Sequence, residues 1–180
     1  MRAKHSDETV GSRKRTEAGF TLIELMIAAA VLMVGLLATA SSVLTSQRLN
    51  VQSRETTRAV EGAKAMIERM RGEDFRLLFA RYNDDEADDP EGSGTGPGAS
   101  FDVPGLAGPG GTAAGAVSFT LDEPALGVDL NGDGDAVDDL GNSILGLDYL
   151  VLPFTVAVEW VGITGRRRVE VVTRVAAESF

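Results

Sequence analysis

The sequence predicts an α+β protein: a long N-terminal helix, membrane-spanning in its first half, with a C-terminal antiparallel β-sheet head. Three observations carry this. Residues 20–40 form one apolar run of 21 residues interrupted by a single charge, Glu24. Residues 41–71 contain no proline and place Val60, Ala63, Ile67 and Met70 at helical spacing. The last third alternates with period two, Phe154, Val156, Val158 and Trp160 on one face of a strand and Val169, Val171, Thr173 and Val175 on one face of the next.

The helix comes first. As an α-helix, 20–40 is about 30 Å long, the thickness of a bilayer core. Before it, residues 1–19 carry five Lys/Arg and three Asp/Glu, a net +2, which leaves −12 of the total −10 on the remainder. A basic head before an apolar run and an acidic body after it predict single-pass insertion with the N-terminus in the cytoplasm. Residues 41–82 read as the amphipathic continuation of the same helix. From 83 to 115 the composition turns to Asp, Glu, Gly, Pro, Ser and Thr, with Asp84-Asp85-Glu86 and Asp88-Asp89 as clusters. That predicts a long exposed loop. Residues 116–180 are read as the antiparallel sheet, with Gly162-Ile163-Thr164-Gly165 turning a hairpin.

Composition also excludes. The chain has 180 residues, room for one modest domain plus an anchor. It has no Cys and one His, His5, so no disulfide framework, no thiolate chemistry and no nucleophile–base pattern is available. An enzyme is not expected. An acidic body argues against general nucleic-acid binding, which needs Lys and Arg on phosphates.

Glu24 decides between readings of the apolar run. A carboxylate in an inserting segment costs roughly 2–3 kcal/mol or more. A plain anchor leaves it unexplained. So does a secretory signal peptide, although Ala28-Ala29-Ala30 and Ala38-Thr39-Ala40 satisfy a small-x-small cleavage pattern. The segment Gly19-Phe20-Thr21-Leu22-Ile23-Glu24 resembles the cleavage and methylation site of type IV prepilins and secretion-system pseudopilins.

The resemblance implies a pilin fold and a mechanism. A prepilin peptidase/methyltransferase would cut after Gly19, making 1–19 a cleaved leader and Phe20 the N-methylated terminus. Glu24 would be the fifth mature residue and would meet the amino terminus of a neighbouring subunit. An α-amino group has a reference pKa of about 7.7–8.0. Buried charges of opposite sign cost much less together than apart, and such a pair can set register. The further implied partners are other pilin subunits and an inner-membrane assembly platform. The implied location is the bacterial inner membrane, then a periplasmic or extracellular filament. The end of the helix (Ala63-Lys64-Ala65-Met66-Ile67-Glu68-Arg69-Met70-Arg71) and Val156-Ala157-Val158-Glu159-Trp160 look like V-type minor pilins and I-type minor pseudopilins. The expected role is therefore a filament subunit of a pilus or a type II secretion pseudopilus. The alternative is a tip binding module, an adhesin or DNA-uptake pilin, using the acidic loop or the Arg166-Arg167-Arg168 shoulder.

One motif stands apart. Asp129-Leu130-Asn131-Gly132-Asp133-Gly134-Asp135 matches the first half of a calcium loop, alternating oxygen donors with a Gly for the sharp turn. Position twelve is Leu140 rather than Glu, so closure would fall to Asp138 or Asp139. The alternative is an acidic Asx turn without metal. Calcium is favoured, because five Asp carboxylates between 129 and 139 would otherwise repel one another.

Overall fold

The computed structural model describes residues 19–140 and 149–177, so residues 1–18 of the expected leader lie outside it. The chain divides into two compact units, 1–45 and 46–180.

Helix α1 is Leu22–Arg71. Its first part is exposed from Leu22 through Leu49, and from Leu25 to Ala38 it is apolar on every side. Its hydroxyls bond back into the helix: Thr39 Oγ1 donates to Gly35 O (2.8 Å), Ser41 Oγ to Ala38 O (2.8 Å) and Thr45 Oγ1 to Ser41 O (2.9 Å). No polar group on these side chains is left facing an apolar surround.

In the second unit, α1 buries Ala59, Ala63, Met66, Ile67 and Met70. The expected stripe is thus one position broader than its spacing suggested: Val60 is only half-buried, while Ala59 and Met66 are fully in the core. Gly62 lets the chain approach closely, since a Cβ there would stand 2.8 Å from Val103 Cγ1.

The helix does not continue to residue 82 as expected. It closes at Arg71, where the Gly72 amide bonds to Glu68 O and Arg69 O. Asp74 then caps a 3₁₀ turn, Phe75–Leu77, by accepting from the Arg76 amide. A separate short helix follows, α2 at Leu78–Tyr82, burying Leu78, Phe79, Ala80 and Tyr82. A Gly, unfavourable in a helix, and an Asp that caps a new turn break the helix for local reasons that hydrophobic spacing alone does not register.

The strands are β1 (Ser100–Phe101), β2 (Gly115–Phe119), β3 (Val151–Gly162) and β4 (Gly165–Ala176), with the four-residue helix α3 at Glu123–Leu126 between β2 and β3. They form one antiparallel sheet in the order β1-β2-β3-β4. Segment 83–115 is therefore not a plain loop. It holds β1, 3₁₀ turns at Glu86–Asp88 and Pro109–Gly111, and the buried residues Ala99, Val103 and Ala114.

The period-two reading of the last strands holds. Leu152, Phe154, Val156, Val158 and Trp160 are buried on one face of β3, and Val169, Val171 and Val175 pack against the same core from β4. Phe119 sits edge-on to Phe79 (5.2 Å between centroids) and 6.2 Å from Phe154. Pro153 fits within β3 because it lies at the end of β2: its carbonyl accepts from Thr120 N at 3.3 Å, and its missing amide falls where β2 stops. The hairpin closes at Gly162↔Gly165, and the left-handed conformation falls on Gly165 (φ 110°). Each large apolar chain sealed here is worth about 1.5–3 kcal/mol.

Candidate functional site

Two groups of residues carry the sequence-level expectations, one at the start of α1 and one in the 129–139 loop.

Gly19 and Phe20 precede the helix in non-helical conformation and are exposed, Phe20 at 84%. Thr21 is the cap: its Oγ1 accepts from the Glu24 amide (3.3 Å) and its carbonyl from the Leu25 amide (3.2 Å). Thr21 and Glu24 thus occupy the first and last positions of a capping box, the T-x-x-E pattern that starts helices. Glu24 also lies in the first turn, where a negative charge is favoured by the helix dipole. So Glu24 has a local place at the helix start, apart from any contact the resemblance implies with a neighbour. The apolar part of α1 is not buried within the chain and is long and apolar enough to cross a membrane.

In the loop, the calcium-pattern residues turn largely on their own backbone. Asp129 accepts from the amides of Gly132 (2.5 Å) and Gly134 (2.9 Å). Asn131 Oδ1 accepts from Asp133 N, Asp133 Oδ1 from Asp135 N, and Asp135 Oδ1 from Val137 N, at 3.0, 3.1 and 3.2 Å. Gly132 and Gly134 take the positive φ values of 81° and 100° that this winding needs. Asp139 pairs through its backbone with Asp122.

The carboxylates that do converge are Glu123, Asp135 and Asp138, with one oxygen of each lying within 4.8 Å of the others. Glu123 was not among the expected residues. It opens α3, whose cap is Asp122, and its side chain is fully buried. Its oxygens accept from Leu130 N (2.6 Å) and Asp138 N (3.2 Å), so one carboxylate clamps both ends of the loop. The Asp-Glu-Pro start of a helix was the only sequence signal, and it says nothing about a loop seven residues on.

The electrostatics follow the packing. Partial burial pushes the Asp138 carboxyl above the ordinary carboxylate range, and the charges of Asp133, Asp135 and Glu123 add to it. Asp133 is held below that range, first by the Asp135 amide and then by Asn131. The three converging carboxylates are hard oxygen donors of the type calcium takes.

Residues 14–40 match the family described as Prokaryotic N-terminal methylation motif. No curated protein and no solved structure matches the chain. With that motif at the head of a long helix and an antiparallel sheet after it, the chain has an architecture consistent with the pilin fold.

Proposed function

We propose that the protein is a minor structural subunit of a type IV pilus or a type II secretion pseudopilus, without catalytic activity. The observation that carries this is the methylation motif over 14–40, which runs into the exposed apolar start of the helix beginning at Leu22. On this reading a prepilin peptidase/methyltransferase cuts between Gly19 and Phe20 and methylates the Phe20 amine. The apolar part of α1 stays in the bacterial inner membrane until an assembly platform passes the subunit into the filament. Glu24 then offers its carboxylate to the amino terminus of a neighbour. Intact-mass analysis of membrane-extracted protein tests the reading. A mature chain starting at N-methyl Phe20 supports it, whereas a start at Val31 or Ser41 marks an ordinary signal peptide and overturns it. A tip binding role on the same anchor is the rival, decided by ligand-binding assays on the same material.

A second reading concerns calcium, and the convergence of Glu123, Asp135 and Asp138 favours it. On this reading the ion is a structural clip on the 129–139 loop, held by those three carboxylates with oxygens from the Asp129, Asn131, Asp133 and Asp139 turns nearby. Melting with calcium and with chelator tests it.

A further inference from the structure

The feature of the head left without a role is the free edge of β4. This strand pairs with β3 along all 12 residues, and among the described residues no strand lies on its other side. The direction of its backbone groups follows from β3. Pro153 O, Glu159 N and Val161 N bond toward the β2 side, so the even-numbered residues of β3 bond toward β4. Their partners in the register are the odd-numbered residues of β4, from Gly165 to Val175. The amides and carbonyls of Arg166, Arg168, Glu170, Val172 and Arg174 therefore point outward, and no strand or loop amide among the described residues pairs with them.

The same five residues share one face, and their side chains define what the edge accepts. Three are arginines in a chain of net charge −10. Arg166 leans on the half-buried Glu159 (3.2 Å) and Arg168 on Glu170 (2.7 Å), and both arginine side chains stay largely solvent-exposed. Arg174 has no ion pair among the described residues. Between them Val172 is 77% exposed and rims an apolar hollow of about 330 Å³ with Leu126, Val128, Val151 and Pro153. Exposed strand edges attract further strands, and charges on them repel the wrong ones.

We infer that the β4 edge is a strand-addition site for an extended, acidic segment of a partner protein. Main-chain hydrogen bonds would supply the affinity and alternate side chains the selectivity. Carboxylates opposite Arg168 and Arg174 and a small apolar residue opposite Val172 complete the match. This goes beyond the filament reading, which rests on the other end of the chain.

The experiment uses the full chain in detergent micelles and three fluorescent, end-capped decapeptides. One has Glu at alternate positions with Val and Thr between, one has Lys in place of Glu, and one keeps Glu but carries two prolines. Anisotropy is expected to show saturable binding of the Glu peptide alone, weakened at least about ten-fold by 0.5 M salt or by Arg168→Glu. Val172→Pro, which deletes one outward amide at an edge, is expected to weaken it as well. Equal binding of the Glu and Lys peptides, binding of the proline peptide, or indifference to Arg168→Glu overturns the proposal. So does self-association of the chain that Arg168→Glu abolishes, which would assign the edge to a second copy.

Discussion

Trp160 Nε1 donates a hydrogen bond to Glu55 Oε2 at 3.2 Å, joining β3 to α1 across 105 residues of sequence. The indole is buried, and the Arg167 guanidinium lies 6.0 Å from its ring centre from the neighbouring strand. Gln52, one turn before Glu55, accepts from both Arg167 nitrogens at 2.6 Å with its amide oxygen turned toward them. Hydrogen bonds to charged groups contribute about 1.5–3 kcal/mol. Trp160→Phe is expected to destabilise the head by about 1–2 kcal/mol, with Glu55→Gln retaining most of the stability. A double-mutant cycle from urea melts would show coupling; additive losses would mean that the bond contributes nothing of its own.

Gly62 should not tolerate a side chain. Its missing Cβ faces the two Val103 methyls at 2.8 and 2.9 Å. Gly62→Ala gains about 1 kcal/mol of helix propensity and loses about 1–3 kcal/mol to overpacking. A net loss near 1 kcal/mol is expected, and Val103→Ala in the same chain should relieve it. Thermal unfolding of the four variants decides.

Glu24 stands at the helix start and has a proposed role toward a neighbouring subunit, and Glu24→Gln separates the two. Gln keeps the N3 position of the capping box but has no charge. If charge pairing with a neighbour governs assembly, Glu24→Gln and Glu24→Ala should both insert normally and both be scarce in sheared filaments. Normal incorporation of Glu24→Gln would leave helix capping as the sole role. Gly19→Val, which crowds the cut backbone, is expected to leave the leader attached on an anti-leader blot.

The loop prediction turns on Glu123. Removing its carboxylate orphans the Leu130 and Asp138 amides, so Glu123→Ala is expected to cost about 2–5 kcal/mol even without metal. Asp138→Asn should instead be neutral or stabilising without calcium, because the Asp138 carboxyl is raised by burial and by like charges. If calcium binds, it should raise the melting temperature of the parent, and Asp138→Asn should abolish the increase. At a hundred times the dissociation constant the gain is about 2.7 kcal/mol. An unchanged melting temperature with calcium and with chelator would identify the loop as an acidic turn.

Tyr149 gives an alkaline signature. Its hydroxyl donates to Phe75 O at 2.7 Å, and burial pushes its pKa up to about 12, with Asp74 adding to the rise and the Phe79 backbone opposing it. A raised folded-state pKa contributes stability that is complete below the unfolded value near 10 and is lost as pH climbs through 12. Relative to Tyr149→Phe, the parent should lose about 1 kcal/mol between pH 9 and pH 11 in denaturant melts. Parallel pH curves for the two would show that the hydroxyl is already accessible.

Signals that are periodic or local were legible in the amino-acid sequence. An apolar run long enough for a bilayer, Glu24 at its head, and the alternation from Phe154 to Trp160 each need only neighbours along the chain to be read. The 129–139 loop was legible in the same way, as a spacing of Asp and Asn around two glycines. Tertiary structure decided what depends on distant partners. Ala59 and Met66 joined the core because the sheet covers a wider arc of α1 than the three- and four-residue spacing marks. Val103 and Phe101 drew part of the acidic 83–115 stretch into the fold, since a few apolar side chains among many polar ones suffice once a sheet edge and Gly62 offer room. Glu123 became the clamp of the loop only because α3 brings it against Leu130 and Asp138. No local pattern distinguishes that buried carboxylate from the many exposed ones.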